Sequence, residues 1–134
     1  MEQEIWSIFA TLNIGTAIRG LSGLFAIWLS ARFASVLMDK GATMLGKVIV
    51  SVFGLCAVAM NVLFLMQAQA VYINTTKAFI ALRDSGAEIS ANATSFANTY
   101  SASEPALSNT PVFSVMLLSA LAIILVPMWF PNKK

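Results

Sequence analysis

The sequence predicts an all-α integral membrane protein, with three transmembrane helices and a small extramembrane helical hairpin between the second and third. Three observations carry that expectation. Apolar residues make up 58% of the chain and charged residues only 10%, far below the roughly 25% charged content of a soluble domain. Three apolar stretches, about 6–30, 48–67 and 112–130, are each long enough to cross a hydrocarbon core of roughly 30 Å. The segment between the last two, 70–110, is rich in Ala, Ser, Thr and Asn yet keeps its apolar residues at helical spacing. At 134 residues the chain is expected to form one membrane domain, with that outer loop as its main extramembrane part.

The first element runs from Ile5 to Met38, about 50 Å as a helix. That exceeds a bilayer, so it must tilt or leave the membrane. Trp6 and Trp28 stand about 33 Å apart along such a helix, the spacing of two interfacial anchors, and this preferred register puts Arg19 near mid-bilayer. In the other register Ile5 to Ile18 is an interfacial amphipathic segment, with Ile5, Ile8, Phe9 and Leu12 on its apolar side, and the span begins at Gly20. One face of this helix carries Glu4, Ser7, Thr11, Gly15, Arg19, Ser22, Ala26, Ser30 and Ala34 at steps of three and four. Helices associate in lipid through close backbone approach across small residues and through polar contacts. Ser7, Thr11, Gly15, Arg19, Ser22, Ala26, Ser30 and Ala34 are therefore the candidate packing interface, either among the chain's own three helices or with a neighbouring subunit.

Asp39, Lys40 and Gly41 end the first helix, and Val48 to Met66 forms the second span, interrupted by Ser51, Gly54, Cys56 and Asn61. The two should pair as an antiparallel hairpin. Beyond Gln67 and Gln69, Tyr72, Ile73, Phe79 and Ile80 lie opposite Asn74, Lys77 and Asp84, so the second helix is expected to continue to about Arg83. Ser85 with Glu88 fits a capping box, followed by Ile89, Ala93, Phe96 and Tyr100 at helical steps. Asn74-Thr75-Thr76 and Asn92-Ala93-Thr94 match the glycosylation sequon, a pattern that a segment of this composition produces freely.

Ser101 to Asn109, containing Pro105, reads as a linker. Thr110 before Pro111 is a helix start, with a cap oxygen preceding a proline whose missing amide hydrogen costs nothing in the first turn. Val112 to Phe130 is the third span; Trp129 and Phe130 suit an interfacial belt, Pro131 stops the helix, and Lys133 and Lys134 close the chain. Arg32, Lys40 and Lys47 cluster around the first loop. The positive-inside rule therefore places that loop and the C-terminus in the cytoplasm, with the N-terminus and long loop outside. Glu2 and Glu4 stand where a secretory signal would carry basic residues, so the first helix is expected to remain in the mature chain.

Catalytic signatures are missing. With no histidine and a single cysteine, and with no acidic residue inside an apolar run, no metal site or intramembrane carboxylate pair can be assembled, so neither enzyme activity nor a cofactor is expected. Cys56, a lone thiol within an apolar run, is expected to serve in packing. A net charge of +2 with dispersed basic residues excludes nucleic acid as an expected partner. Arg19 is the sharpest feature, since a charge near mid-bilayer must find a partner or face a protein interior. Asn61 and freed backbone carbonyls are its expected polar contacts within the chain; a partner's carboxylate or a lipid phosphate could serve instead, and in the other register the side chain snorkels to the headgroups.

The function expected on these grounds is that of a non-catalytic structural or accessory subunit, docking into a larger membrane assembly through the small-residue face of helix one. The first alternative is a phage-type membrane protein, either a component of a virion's internal membrane or a holin. In size, span number and orientation the chain resembles one broad class of holins, from which the long outer loop and short basic tail depart. A small oligomeric channel is the other alternative, in which copies of the chain would line a pore with Asn13, Thr16, Arg19 and Asn61.

Overall fold

A computed structural model describes residues 1–130. The chain is all-α: α1 (Glu2–Asp39), α2 (Met44–Asp84), α3 (Ala91–Tyr100) and α4 (Pro111–Trp129), with a 3-10 turn at Leu107–Asn109 leading into α4. α1, α2 and α4 are each long and apolar enough to cross a membrane, which makes this a multi-pass membrane protein with three candidate spans in contact with lipid. Pro131, Lys133 and Lys134, expected to stop the last helix and close the chain, lie outside the described residues.

α1 and α2 form the expected antiparallel hairpin. Gly41 takes a positive φ of 81°, while Lys40 and Gly41 donate back to the carbonyls of Val36 and Met38, closing the last turn of α1. The Thr43 hydroxyl then accepts the Gly46 amide at 3.2 Å, which caps α2. So short a connection leaves the helices no option but to lie side by side.

Their contact follows a heptad. On α1 the covered positions include Trp6, Phe9, Asn13, Thr16, Gly20, Gly23, Ile27, Ser30, Ala34 and Leu37; on α2 they include Ser51, Gly54, Val58, Asn61, Leu65, Ala68, Tyr72, Thr75, Phe79 and Leu82, with Ala57, Ile73 and Thr76 buried beside them. Alternating steps of three and four average 3.5 residues, the repeat that keeps two helices facing each other over many turns. Glycine, serine and alanine predominate in the half of the α1 seam nearer the first loop. Aromatic rings fill the seam at its other end.

α4 packs where the seam residues are small. Ile124 and Met128 are fully buried beside Ala34, and a Cβ on Gly54 would stand only 3.0 Å from Ile124 Cγ2. The Trp129 indole donates to Ser51 Oγ at 2.9 Å, fixing that end of α4 to α2. At the other end Pro111 occupies the first turn as expected, but Thr110 makes no side-chain cap. Its hydroxyl is buried without a partner, and its carbonyl instead accepts from the Ser114 amide and hydroxyl.

α3 lies against the far end of the hairpin, completing the expected extramembrane pair with the extension of α2. Phe79, Ala93 and Ala97 are buried together, with Ile5, Trp6 and Phe96 packed on them. The Trp6 ring centroid is 4.9 Å from that of Phe79 and 5.4 Å from that of Phe96. Alanines at 93 and 97 let the α3 backbone approach these rings. The cap differs from the Ser85–Glu88 expectation: Ser85 donates to the Leu82 carbonyl at the end of α2, Gly86 turns the chain at φ 87°, and Ser90 caps α3 by accepting the Ala93 amide at 3.2 Å. The carboxylate that completes the cap comes from another helix. Glu2 accepts from the Ser90 amide at 2.8 Å and from its hydroxyl at 2.6 Å.

Candidate functional site

The small-residue stripe of α1 divides along its length. Ser30 and Ala34 are buried against α2 and α4, and Ala26 is half-buried. Ser7, Thr11, Arg19 and Ser22 are exposed, and a Cβ added to Gly15 would meet nothing within 4 Å. The two patterns diverge because the stripe advances by repeated fours at Thr11, Gly15 and Arg19, whereas the seam alternates threes and fours through Asn13, Thr16 and Gly20. They merge at Ser30 and Ala34. Toward the N-terminus the stripe shifts to the flank of the seam, where Thr11, Gly15 and Arg19 still border α2 at Gln67 and Val71 and the side chains of Ile8, Ile14 and Ile18 are exposed.

The hydroxyls of Thr11, Ser22 and Ser30 are satisfied within α1. Thr11 Oγ1 donates to the Ser7 carbonyl at 2.9 Å, Ser22 to Ile18 at 3.0 Å and Ser30 to Ala26 at 2.8 Å. Exposed hydroxyls bonded in this way present little polar demand to a neighbouring helix or to lipid.

Arg19 and Asn61 do not meet. Arg19 Nη1 donates to Gln67 Oε1 at 3.2 Å, while Asn61 is 1% exposed and donates from Nδ2 to the Ala57 carbonyl at 2.8 Å. The antiparallel register explains this, because it sets Asn61 against Gly23, one turn along from Arg19. Thr11, Gly15, Thr16, Arg19, Gln67 and Val71 surround a recess of about 160 Å³ between α1 and α2. Among the described residues the ion pairs are those of the N-terminal amine with Glu4 and of Arg83 with Asp84. Neither involves Arg19.

Sequence reasoning missed three residues that organise this region. Gly23 admits Asn61, Gln67 receives Arg19, and Gln69 holds the linker: its Oε1 accepts the Ala106 amide at 2.8 Å and its Nε2 donates to the Ala106 carbonyl at 3.1 Å. Asn109 adds a bond to the same Gln69 oxygen at 3.3 Å. Two glutamines closing an apolar run were visible signals, but nothing in their spacing named their partners. Cys56, expected to pack, is exposed on α2. It lies off the heptad that covers its neighbours Gly54 and Val58.

The Glu2 carboxyl is held below its ordinary pKa, first by the Ser90 hydroxyl and then by the Ser90 amide, with a smaller contribution from the Trp6 indole. Among the described residues no group of three His, Cys, Asp or Glu side chains could hold a metal. The chain matches no family model, no curated protein and no solved structure.

Proposed function

We propose that this chain is a non-catalytic structural subunit of a larger membrane assembly and docks through the N-terminal part of α1. The observation that carries this reading is the division of the stripe: the hairpin uses Ser30 and Ala34 but leaves Ser7, Thr11 and Ser22 exposed and Gly15 half-buried at the flank of the seam, beside exposed Ile8, Ile14 and Ile18. Small residues flanked by branched apolar ones suit close approach of another helix. In this reading α3 and the adjoining end of α2 lie outside, since Arg32, Lys40 and Lys47 sit toward the opposite end of the hairpin.

The pore alternative has less support. Asn61 is buried against Gly23, and Asn13 and Thr16 are half-buried in the seam, so these polar groups turn into the hairpin. The subunit reading is tested by replacing Gly15 and Ser22 with leucine in the native source. Gly15 has open space around it and Ser22 is exposed, so the variant should fold as before and lose its co-purifying proteins. Unchanged co-purification would overturn the reading.

A further inference from the structure

We infer that Arg19 and Gln67 form a binding site for the phosphate of an anionic phospholipid at one rim of the bilayer. The position of α4 sets the depth of Arg19 in the bilayer. This helix has 19 residues, about 28 Å at 1.5 Å per residue, so it needs its whole length to cross a core of roughly 30 Å. Both its ends are fixed to α2. Trp129 at the end of α4 bonds Ser51, and the linker entering α4 is held to Gln69 through Ala106 and Asn109. Ser51 and Gln69 therefore bracket the membrane on α2, about 27 Å apart.

Gln67 lies two residues inside that bracket, at the rim where α4 begins. Arg19, bonded to Gln67, is at headgroup depth and not at the mid-bilayer depth of the Trp6–Trp28 register. Arg32 lies about 20 Å further along α1, near the other rim. The two arginines of α1 thus flank a bilayer core once their side chains extend outward. The aromatic cluster of Trp6, Phe79 and Phe96 stands beyond the Arg19 rim, packed against α3.

The guanidinium of Arg19 is exposed, has five N–H donors, and makes one hydrogen bond to a protein group, a neutral amide oxygen. Among the described residues no carboxylate pairs with it. The planar fork of arginine matches two phosphate oxygens. The recess beside it, open at Gly15, is roomy enough for the polar part of a headgroup. Below it Leu21 stands exposed, an apolar surface along which an acyl chain can run. The site shares Gly15 with the docking face, so it is tested on the chain purified alone, where no partner helix can cover it.

The test is native mass spectrometry of the purified chain, delipidated in mild detergent and titrated with phosphatidylglycerol, phosphatidylcholine or inorganic phosphate. The wild-type chain should retain phosphatidylglycerol in preference to phosphatidylcholine. Arg19→Gln should weaken that retention by about tenfold, the scale of losing one charge-assisted hydrogen-bonded contact. Arg19→Lys should fall between, since lysine keeps the charge without the fork. Val71→Trp, which fills the recess and leaves the arginine in place, should also weaken retention. Equal retention by wild type and Arg19→Gln overturns the site. Equal retention of the two lipids overturns its anionic preference, and displacement of lipid by millimolar inorganic phosphate reassigns it to free phosphate.

Discussion

Asn61 lies directly across Gly23. A Cβ at position 23 would stand 2.6 Å from Asn61 Oδ1 and 2.7 Å from Nδ2, closer than atoms approach without displacement. The amide that needs this space is itself tied to the Ala57 carbonyl, so it cannot swing aside without losing its hydrogen bond. Gly23→Ala should therefore destabilise the hairpin by about 1–3 kcal/mol, the usual cost of overpacking, read as a lower midpoint of thermal unfolding in detergent. On an Asn61→Ala background the same change should cost little. Gly15→Ala is the control, because it meets no atom within 4 Å and alanine favours helix by about 1 kcal/mol over glycine. If Gly23→Ala unfolds where the wild type does, the close approach is not what sets the hairpin register.

The tie between Glu2 and Ser90 predicts a pH-dependent attachment of α3. The folded-state pKa of Glu2 is below its ordinary value of 4.5, so its contribution is fully present above that value and is lost as pH falls through the folded pKa. Because the Glu2 carboxylate also accepts from the Trp6 indole at 3.2 Å, Trp6 fluorescence reports the event. In a chain with Trp28 and Trp129 changed to phenylalanine, the emission should shift on acidification to below the ordinary carboxylate range. Glu2→Gln should remove that transition. Persistence of the same transition in Glu2→Gln would assign it to another carboxylate.

Much of the fold was legible because length and apolar content dictate it. The three spans, the extension of α2 past Gln69 and the presence of α3 all follow from spacing that lipid and local burial impose. Partner choice was harder. Ser7, Thr11 and Gly15 are as small as Gly20, Gly23 and Ser30, and size alone does not say which row meets α2; the distinction lies in a 3.5-residue period against one that drifts toward four. Reading α1 and α2 together as heptads would have selected Gly23 and Asn61. The capping carboxylate was beyond sequence spacing altogether: Glu88 lies three residues after Ser85, whereas the group used, Glu2, lies 88 residues from Ser90.

Gln69 fixes the linker by presenting both an acceptor and a donor to one backbone residue, Ala106. Leucine at 69 would preserve bulk and remove both bonds, leaving the half-buried Ala106 amide without a partner and its carbonyl with the Asn109 amide alone. Each such loss costs about 1–3 kcal/mol. Hydrogen exchange at Ala106 and Asn109 should accelerate by about ten- to a hundredfold in Gln69→Leu, with exchange in the seam around Asn61 unchanged, because the opening is local. Protection retained at Ala106 would mean that Pro105 and the 3-10 turn hold the linker unaided.

Thr75 and Thr76 are adjacent, both buried, and differ in hydrogen bonding. Thr75 Oγ1 donates to the Val71 carbonyl at 2.8 Å, while Thr76 Oγ1 has no hydrogen-bond partner among the described residues. A buried hydroxyl without a partner has lost its water and gained nothing, so replacing it by a methyl group removes a cost on the order of 1 kcal/mol. Thr76→Val changes the shape of the side chain very little and should raise the unfolding midpoint. Thr75→Val removes a satisfied bond at the neighbouring position and should give no such gain. The pair separates hydrogen bonding from the general effect of a more apolar, β-branched side chain at this level of α2, because that effect is common to both substitutions. Equal gains from the two would trace the stabilisation to apolarity and not to the orphaned hydroxyl.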